Sequence, residues 1–435
     1  MPSDQRQMSR PTAARRIEPM ETIRLATPQS VRDTGLRRGF LEELAAKILF
    51  LYGELSLVEL AERMCLSLGT VEEIFQFLRK EQLCEVKGMS WGSHRIVASS
   101  QGRTRAMELL ALSQYAGPAP VPIETYSLRV RAQSVQQTVI DPNNLVRAFQ
   151  QIVIDEDIVS RIGAAVVSGT SLFLYGPSGT GKTSLTECIP AIFEDAVWIP
   201  HAVEVDNQVI AVYDPGIHRP IDKSFSDEFD KRWVLCHRPR VIAGGELSME
   251  MLDLQFSTTS RLYAAPLQLK ANNGVLVIDD FGRQRVRPEE LLNRWMTPLD
   301  RRVDFLSLPG GRKFEVPFDV FVVFATNLDP SELIDEAFLR RIPNKIKLGN
   351  VTPQQFRKVF RNVTDALLLD YDDAVVECLI GLITRVFKQP LRPCYARDIV
   401  QQVFWMAAFR QQELRLNEKI IESACRNYFL SNERS

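Results

Sequence analysis

The sequence predicts an α/β core built on a parallel sheet, followed by an α-helical region and preceded by a small α+β domain. Three observations carry this reading. Residues 172–187 run from an apolar strand through a glycine-rich turn into the opening of a helix. A second apolar run, Val275 to Ile278, ends in Asp279 and Asp280, and a third, Val320 to Thr326, ends in Asn327. Continuous apolar strands separated by helical stretches belong to sheets covered on both faces, whose ligands lie outside the strands' carboxyl ends.

From the amino end, residues 1–35 lack hydrophobic periodicity, and Arg6, Arg10, Arg15, Arg16, Arg24 and Arg32 outnumber Asp4, Glu18, Glu21 and Asp33. They read as a disordered, mildly basic tail. Residues 36–113 carry three helical patterns: Leu41, Leu44, Ile48 and Leu51; a second helix capped by Ser56; and a third with Val71, Ile74, Phe75 and Leu78. Two short strand-like runs follow, around Cys84–Lys87 and Arg95–Ala98, in the order of a winged helix with the third helix in the recognition position. That helix starts Thr70-Val71-Glu72-Glu73, which sets two carboxylates where a DNA backbone would lie, so protein contact is favoured over DNA reading. Gly117-Pro118-Ala119-Pro120-Val121-Pro122 marks a stiff linker at 114–136. The core then occupies 137–349 and the helical region 350–435.

Composition narrows the remaining classes. The chain has 435 residues, 53 Lys+Arg against 54 Asp+Glu, and a net charge of -1, so any charge-based function is regional. Seven cysteines stand singly without a Cys-x-x-Cys spacing, which excludes a disulfide framework or a zinc module and fits a reducing compartment. With no apolar signal segment and no run long enough to span a bilayer, membrane insertion is not expected, and the expected location is the cytoplasm.

The chemistry concentrates in Gly176, Pro177, Ser178, Gly179, Thr180, Gly181, Lys182, Thr183 and Ser184. They satisfy Gly-x-x-x-x-Gly-Lys-Ser/Thr between a strand and a helix, the context in which backbone N–H groups curl around a phosphate. Lys182 would meet the β- and γ-phosphates of ATP, and the Thr183 hydroxyl would take a place on Mg²⁺. Asp279 is the expected metal-holding carboxylate, Asp280 the group that polarises the attacking water, and Asn327 an uncharged amide beside the γ-phosphate. In Glu336-Ala337-Phe338-Leu339-Arg340-Arg341 the two arginines are candidates for reaching a phosphate.

In this order the pieces resemble the AAA+ ATPases of the P-loop NTPase class, from about 137 to 430. By that resemblance Gly176 to Thr183 match Walker A, Asp279-Asp280 Walker B and Asn327 sensor 1. Arg340 and Arg341 match the arginine finger region, and residues 350–435 the helical lid. Within Leu391-Arg392-Pro393-Cys394-Tyr395-Ala396-Arg397, Arg397 is the first choice for sensor 2 and Arg392 the second. The family implies fingers acting on a neighbouring subunit's nucleotide, hence a ring, commonly a hexamer. Two departures stand out. Asp280 is one methylene shorter than the usual glutamate, which slows hydrolysis unless the backbone compensates. Residues 198–270 exceed a minimal core, with Gly244-Gly245-Glu246-Leu247 and the charged stretch Asp222 to Arg232 inside them. Residues 303–316 read as a β-hairpin resembling the pre-sensor 1 insertion of the helicase, magnesium chelatase and MoxR-like branches, facing a pore or merely packed. The chain also resembles bacterial ATP-binding proteins of unassigned role that join such a core to a winged-helix-like domain.

Three functions follow: a ring-forming remodeller or chaperone-like motor on a protein client, a DNA-dependent ATPase supported by Arg95, Arg103 and Arg105 near the wing, or a nucleotide-gated scaffold with little hydrolysis.

Overall fold

The computed structural model describes residues 25–90, 92–222, 229–308, 311–333 and 336–429. The amino-terminal domain comprises α1 (Arg38–Tyr52), α2 (Leu57–Met64), α3 (Leu68–Lys80) and α4 (Ser100–Leu112). An antiparallel pair, Cys84–Ser90 with Ser93–Ala98, is extended by Leu55–Ser56. The caps explain the helix starts. Ser56 and Glu59 close a capping box on α2, and the Ser67 hydroxyl accepts from Thr70 N, which begins α3 at Leu68, two residues ahead of the predicted Thr70. Leu41, Leu44, Ile48, Leu60, Val71, Ile74, Phe75 and Leu78 form its core, all at most 1% exposed.

Part of the predicted disordered tail and the predicted stiff linker are built into the fold. Residues 1–24 lie outside the described residues, but residues 25–35 are ordered: Leu25 and Val31 are buried, Leu25 O accepts from Asp230 N at 2.9 Å, and Ala26 bridges Phe229. The strand-like contact is tertiary, so no local periodicity announces it. Residues 114–136 are likewise no spacer. Ala119 N donates to Met64 O at 2.8 Å, Val121–Pro122 adds a parallel strand to a five-stranded sheet, and α5 (Ile123–Ala132) buries Tyr126 and Val130. The prolines do fix extended backbone there, but at a sheet edge, where a missing N–H is tolerated. A buried ion pair completes the junction: Arg232, bonded to Asp230, also donates to Thr34 O at 3.1 Å and Pro120 O at 3.4 Å.

The central sheet has five parallel strands: β1 (Leu172–Tyr175), β2 (Arg240–Ala243), β3 (Val275–Ile278), β4 (Phe321–Thr326) and β5 (Asn344–Lys347), in the order β2-β3-β4-β1-β5. Alternate side chains enter opposite cores: Phe173, Leu276, Ile278, Val322 and Phe324 on one face, Leu172, Leu174, Val275, Val277, Phe321 and Val323 on the other. The long stretch between β1 and β3 supplies most of a second sheet. Its strands run Gln255–Ser257, Leu262–Ala264, Gln208–Ala211, Ala202–Val205 and Val121–Pro122, with a separate antiparallel pair, Ala196–Pro200 and Trp233–His237, sharing their core. The charged stretch from Asp222 is described only at Asp222 and 229–232. The predicted hairpin is present, Val303–Ser307 against Lys313–Pro317, with Pro309 and Gly310 of its turn outside the described residues. Leu306 and Val316 are buried in this second core while Phe305 and Glu315 face out, so one side of the hairpin packs.

The carboxyl region is helical throughout its ordered elements: Pro353–Ala366, Asp373–Gly381, α7 (Pro393–Phe409) and Glu418–Tyr428 close over Phe356, Phe360, Leu379, Ile399, Val403 and Ile421. Among the described residues no helix is long and apolar enough to cross a membrane.

Candidate nucleotide site

The carboxyl ends of β1, β3 and β4 bring the predicted residues together. After β1 the chain turns through Gly176, whose φ of 143° leaves the space into which a Cβ would come 2.1 Å from Leu348 O at the end of β5. Only glycine fits that approach. Gly179 and Gly181 also take positive φ before α6 (Lys182–Cys188), and Thr180 Oγ1 donates to Pro177 O at 2.9 Å. Pro177, Ser178, Thr183 and Ser184 remain exposed around the turn. Lys182, 7% exposed, donates its ammonium to Gly176 O at 2.9 Å and Pro177 O at 2.8 Å. Burial lowers its pKa, while the nearby charges of Asp280 and Asp279 pull it back up.

Across from this loop the acidic residues form a hydrogen-bonded line. Thr183 Oγ1 donates to Asp279 Oδ2 at 3.0 Å, Asp280 N to Asp279 Oδ1 at 3.0 Å, and Asn327 Nδ2 to Asp280 Oδ1 at 3.2 Å. The strand order makes this reach: β4, which ends just before Asn327, lies between β1 and β3, so the loop, the aspartates and Asn327 all leave neighbouring strands at the same end of the sheet. Asp280 takes a left-handed φ of 49°, a conformation uncommon for a residue with a Cβ. Gln284, which the sequence reading passed over, donates to Asp279 O at 2.7 Å and accepts from Gly282 N at 2.8 Å. Its signal was Gly282, a turn glycine at φ 101° just past the aspartates.

The donors suit a hard cation and a phosphate. Thr183 and Asp279 place a hydroxyl and a carboxylate oxygen side by side, which fits Mg²⁺ held partly by water and phosphate oxygens. Among the described residues no group of three or more His, Cys, Asp or Glu is arranged to hold a metal alone.

The arginines divide. Arg341 is tied within the chain, its Nε 2.9 Å from Asp300 Oδ2, whereas Arg340 is 77% exposed and, among the described residues, pairs with the exposed Glu336 on its own helical turn. Arg397 is 78% exposed, 3.8 Å from Asp398. Arg392 lies closer to the phosphate loop. A Cβ on Gly179 would come 3.6 Å from Arg392 Cδ, Cys394 N donates to Gly179 O at 3.3 Å, and Arg392 Nε is buried without a hydrogen-bond partner. A buried guanidinium N–H without a partner beside a glycine-rich loop is a group that calls for an explanation.

A family model described as a domain of unknown function (DUF8689) matches residues 352–427, within the carboxyl-terminal helices. Among curated proteins nothing matches. Solved structures similar to the chain include the Holliday junction branch migration motor RuvB of Thermotoga maritima, at 15% identity over 66% of this chain and 68% of that one, with a TM-score of 0.33. NtrX from Brucella abortus is similar at 12% identity over 70% of this chain and 58% of that one, with a TM-score of 0.38. Likenesses this distant leave the function to the chain's own residues.

Proposed function

We propose that the chain is an AAA+ type ATPase that binds and hydrolyses ATP and works as a ring, commonly a hexamer in such proteins, to remodel a protein client. The observation that carries the reading is the line from Thr183 through Asp279 and Asp280 to Asn327, set opposite a complete phosphate loop. Backbone N–H groups of 176–183 and the Lys182 ammonium hold the phosphates. Thr183 and Asp279 would hold Mg²⁺, which supplies charge neutralisation on the β- and γ-oxygens. Asp280 accepts the proton of the attacking water, and Asn327 orients that water with one amide donor. Arg392 is better supported than Arg397 as the residue of 350–435 that senses phosphate, because it borders Gly179 and has an unused donor. Mass photometry with and without ATP, alongside phosphate release, tests the whole; a monomer that neither assembles nor hydrolyses would sink it.

Arg340 and Arg341 separate cleanly under mutation. Arg340→Ala is expected to leave ATP affinity unchanged and lower turnover about 100-fold or more, the effect of losing a finger that stabilises transition-state charge. Arg341→Ala, which removes a half-buried guanidinium bonded to Asp300, is expected to cost about 1–2 kcal/mol of stability and leave turnover near wild type. Equal rates in both variants and wild type would contradict a finger supplied in trans.

A protein client is favoured over DNA by the amino-terminal domain. Thr70 at the start of α3 donates to Pro28 O at 3.1 Å, so residues of the ordered segment 25–35 lie against that end, and Glu72 and Glu73 are exposed on it. The three arginines near the wing are engaged: Arg95 with Glu54 at 2.6 Å, Arg103 with Ala98 O at 3.2 Å, and Arg105 with Glu43 at 3.1 Å and Glu108 at 3.3 Å. Duplex binding by the full chain, followed by fluorescence anisotropy across a salt series, is expected to be weak even at low salt. Tight binding that falls steeply with added salt would favour the DNA-dependent alternative instead.

A further inference from the structure

The turn after β3 holds Asp280 in the left-handed backbone region, which aspartate enters more readily than most residues with a Cβ but still uncommonly. Asp279 is fixed before it, its N–H bonded to Ala243 O at 2.9 Å on β2. Phe281 is fixed after it: its N–H meets Ala325 O at 2.7 Å, its carbonyl accepts from Thr326 Oγ1 at 2.6 Å, and its ring, 1% exposed, lies edge-on to Phe173 and Phe324. Between these anchors Asp280 spans the gap at φ 49°, and Arg283 N closes a turn onto Asp280 O at 3.0 Å. Such a conformation persists only where its surroundings over-determine it.

Gln284 supplies the contact that reaches across this turn. Its carboxamide donates to Asp279 O on one side of Asp280 and accepts from Gly282 N on the other, at 2.7 and 2.8 Å. Both bonds end on backbone flanking the aspartate, and neither touches its carboxylate. A left-handed residue directs its Cβ differently from an extended one, and here the result is an Asp280 carboxylate 3.2 Å from the Asn327 amide. An aspartate is one methylene shorter than a glutamate, so the backbone that carries it decides where its carboxylate stands.

We propose that Gln284 is a positioning residue for hydrolysis, clipping the turn so that Asp280 stands where it can accept the proton of the attacking water. The proposal rests on Asp280 being that base. Gln284→Glu keeps the size of the side chain and an acceptor for Gly282 N but loses the donor to Asp279 O, so it removes one half of the clip; Gln284→Ala removes both.

In the full chain, Gln284→Ala is expected to bind a fluorescent ATP analogue with wild-type Kd and to lower single-turnover hydrolysis at least tenfold, with Gln284→Glu intermediate. Hydrogen exchange over 279–286 in the nucleotide-free protein is expected to quicken, which reads the clip without reference to activity. In an Asp280→Asn background, Gln284→Ala is expected to cause no further loss, because it acts through Asp280. Wild-type hydrolysis by Gln284→Ala, unchanged exchange, or a full additional loss in the Asp280→Asn background would each overturn the proposal alone. Wild-type hydrolysis by Asp280→Asn would instead overturn the assignment of the base, and the proposal with it.

Discussion

Replacing Lys182 with alanine is expected to abolish measurable ATP binding while leaving the fold intact. The ammonium is spent on the carbonyls of Gly176 and Pro177, in a buried position that already lowers its pKa. A triphosphate offers the same ammonium charged oxygens in place of neutral ones. Hydrogen bonds to charged groups contribute about 1.5–3 kcal/mol each, so two such contacts are worth roughly 3–6 kcal/mol, or on the order of 10²–10⁴ in Kd. The stability cost runs the other way. Of the two carbonyls left behind, that of exposed Pro177 is met by water while that of buried Gly176 loses its donor, so a stability loss of about 1–3 kcal/mol is expected, too small to unfold the chain. Isothermal titration with ATP and a thermal melt on one sample check both halves. Retained affinity would contradict the phosphate-loop assignment, and a collapsed melt would mean that lost binding reports unfolding.

The reason this site was legible is that its parts are local. Strand, glycine turn and lysine fall within one stretch, and paired aspartates at a strand's end are visible as a pattern because buried parallel strands are uniformly apolar. The residues that refine the site are set by tertiary geometry. That Asp280 is one methylene shorter than a glutamate is legible, but its left-handed φ is not, because the residue after it, Phe281, is bonded to β4 more than forty residues further on. Arg392 ranked behind Arg397 because spacing along a helix does not show which residue meets Gly179. The same limit explains the proline segment. In Gly117 to Pro122 the extended backbone is legible and its place in a sheet is not, since the pairing of Val121 and Pro122 with Val203 and Glu204 depends on residues about eighty positions away. Residues 25–35 carry no periodicity to read, because Leu25 and Val31 find their apolar surroundings singly.

Arg238→Ala is expected to be the most destabilising single substitution outside the apolar cores, and the argument again turns on what remains behind. The guanidinium side chain is 3% exposed and all its bonds go to buried or half-buried groups: Asp195 at 2.6 and 2.7 Å, Gln133 O at 3.0 Å, Asn273 O at 2.6 Å and Thr138 Oγ1 at 2.8 Å. These partners come from three parts of the chain that meet below the amino ends of β2 and β3. Asn273 extends the network by donating to Asp319 at 2.7 Å, just before β4, and Asp319 accepts from Ser134 at 2.8 Å and Val135 N at 2.9 Å. Alanine would leave Asp195 without its counter-charge and two carbonyls without donors, and breaking a buried pair in this way costs about 3–5 kcal/mol. Removing the charge from both partners isolates the cause: Arg238→Met with Asp195→Asn is expected to recover part of the loss, since the uncompensated carboxylate is gone. Urea unfolding followed by tryptophan fluorescence measures the difference, because Trp198 and Trp233 sit on the strand pair next to Arg238. A midpoint for Arg238→Ala within error of wild type would mean that the network is solvated and that the amino ends of the strands are held by apolar packing alone.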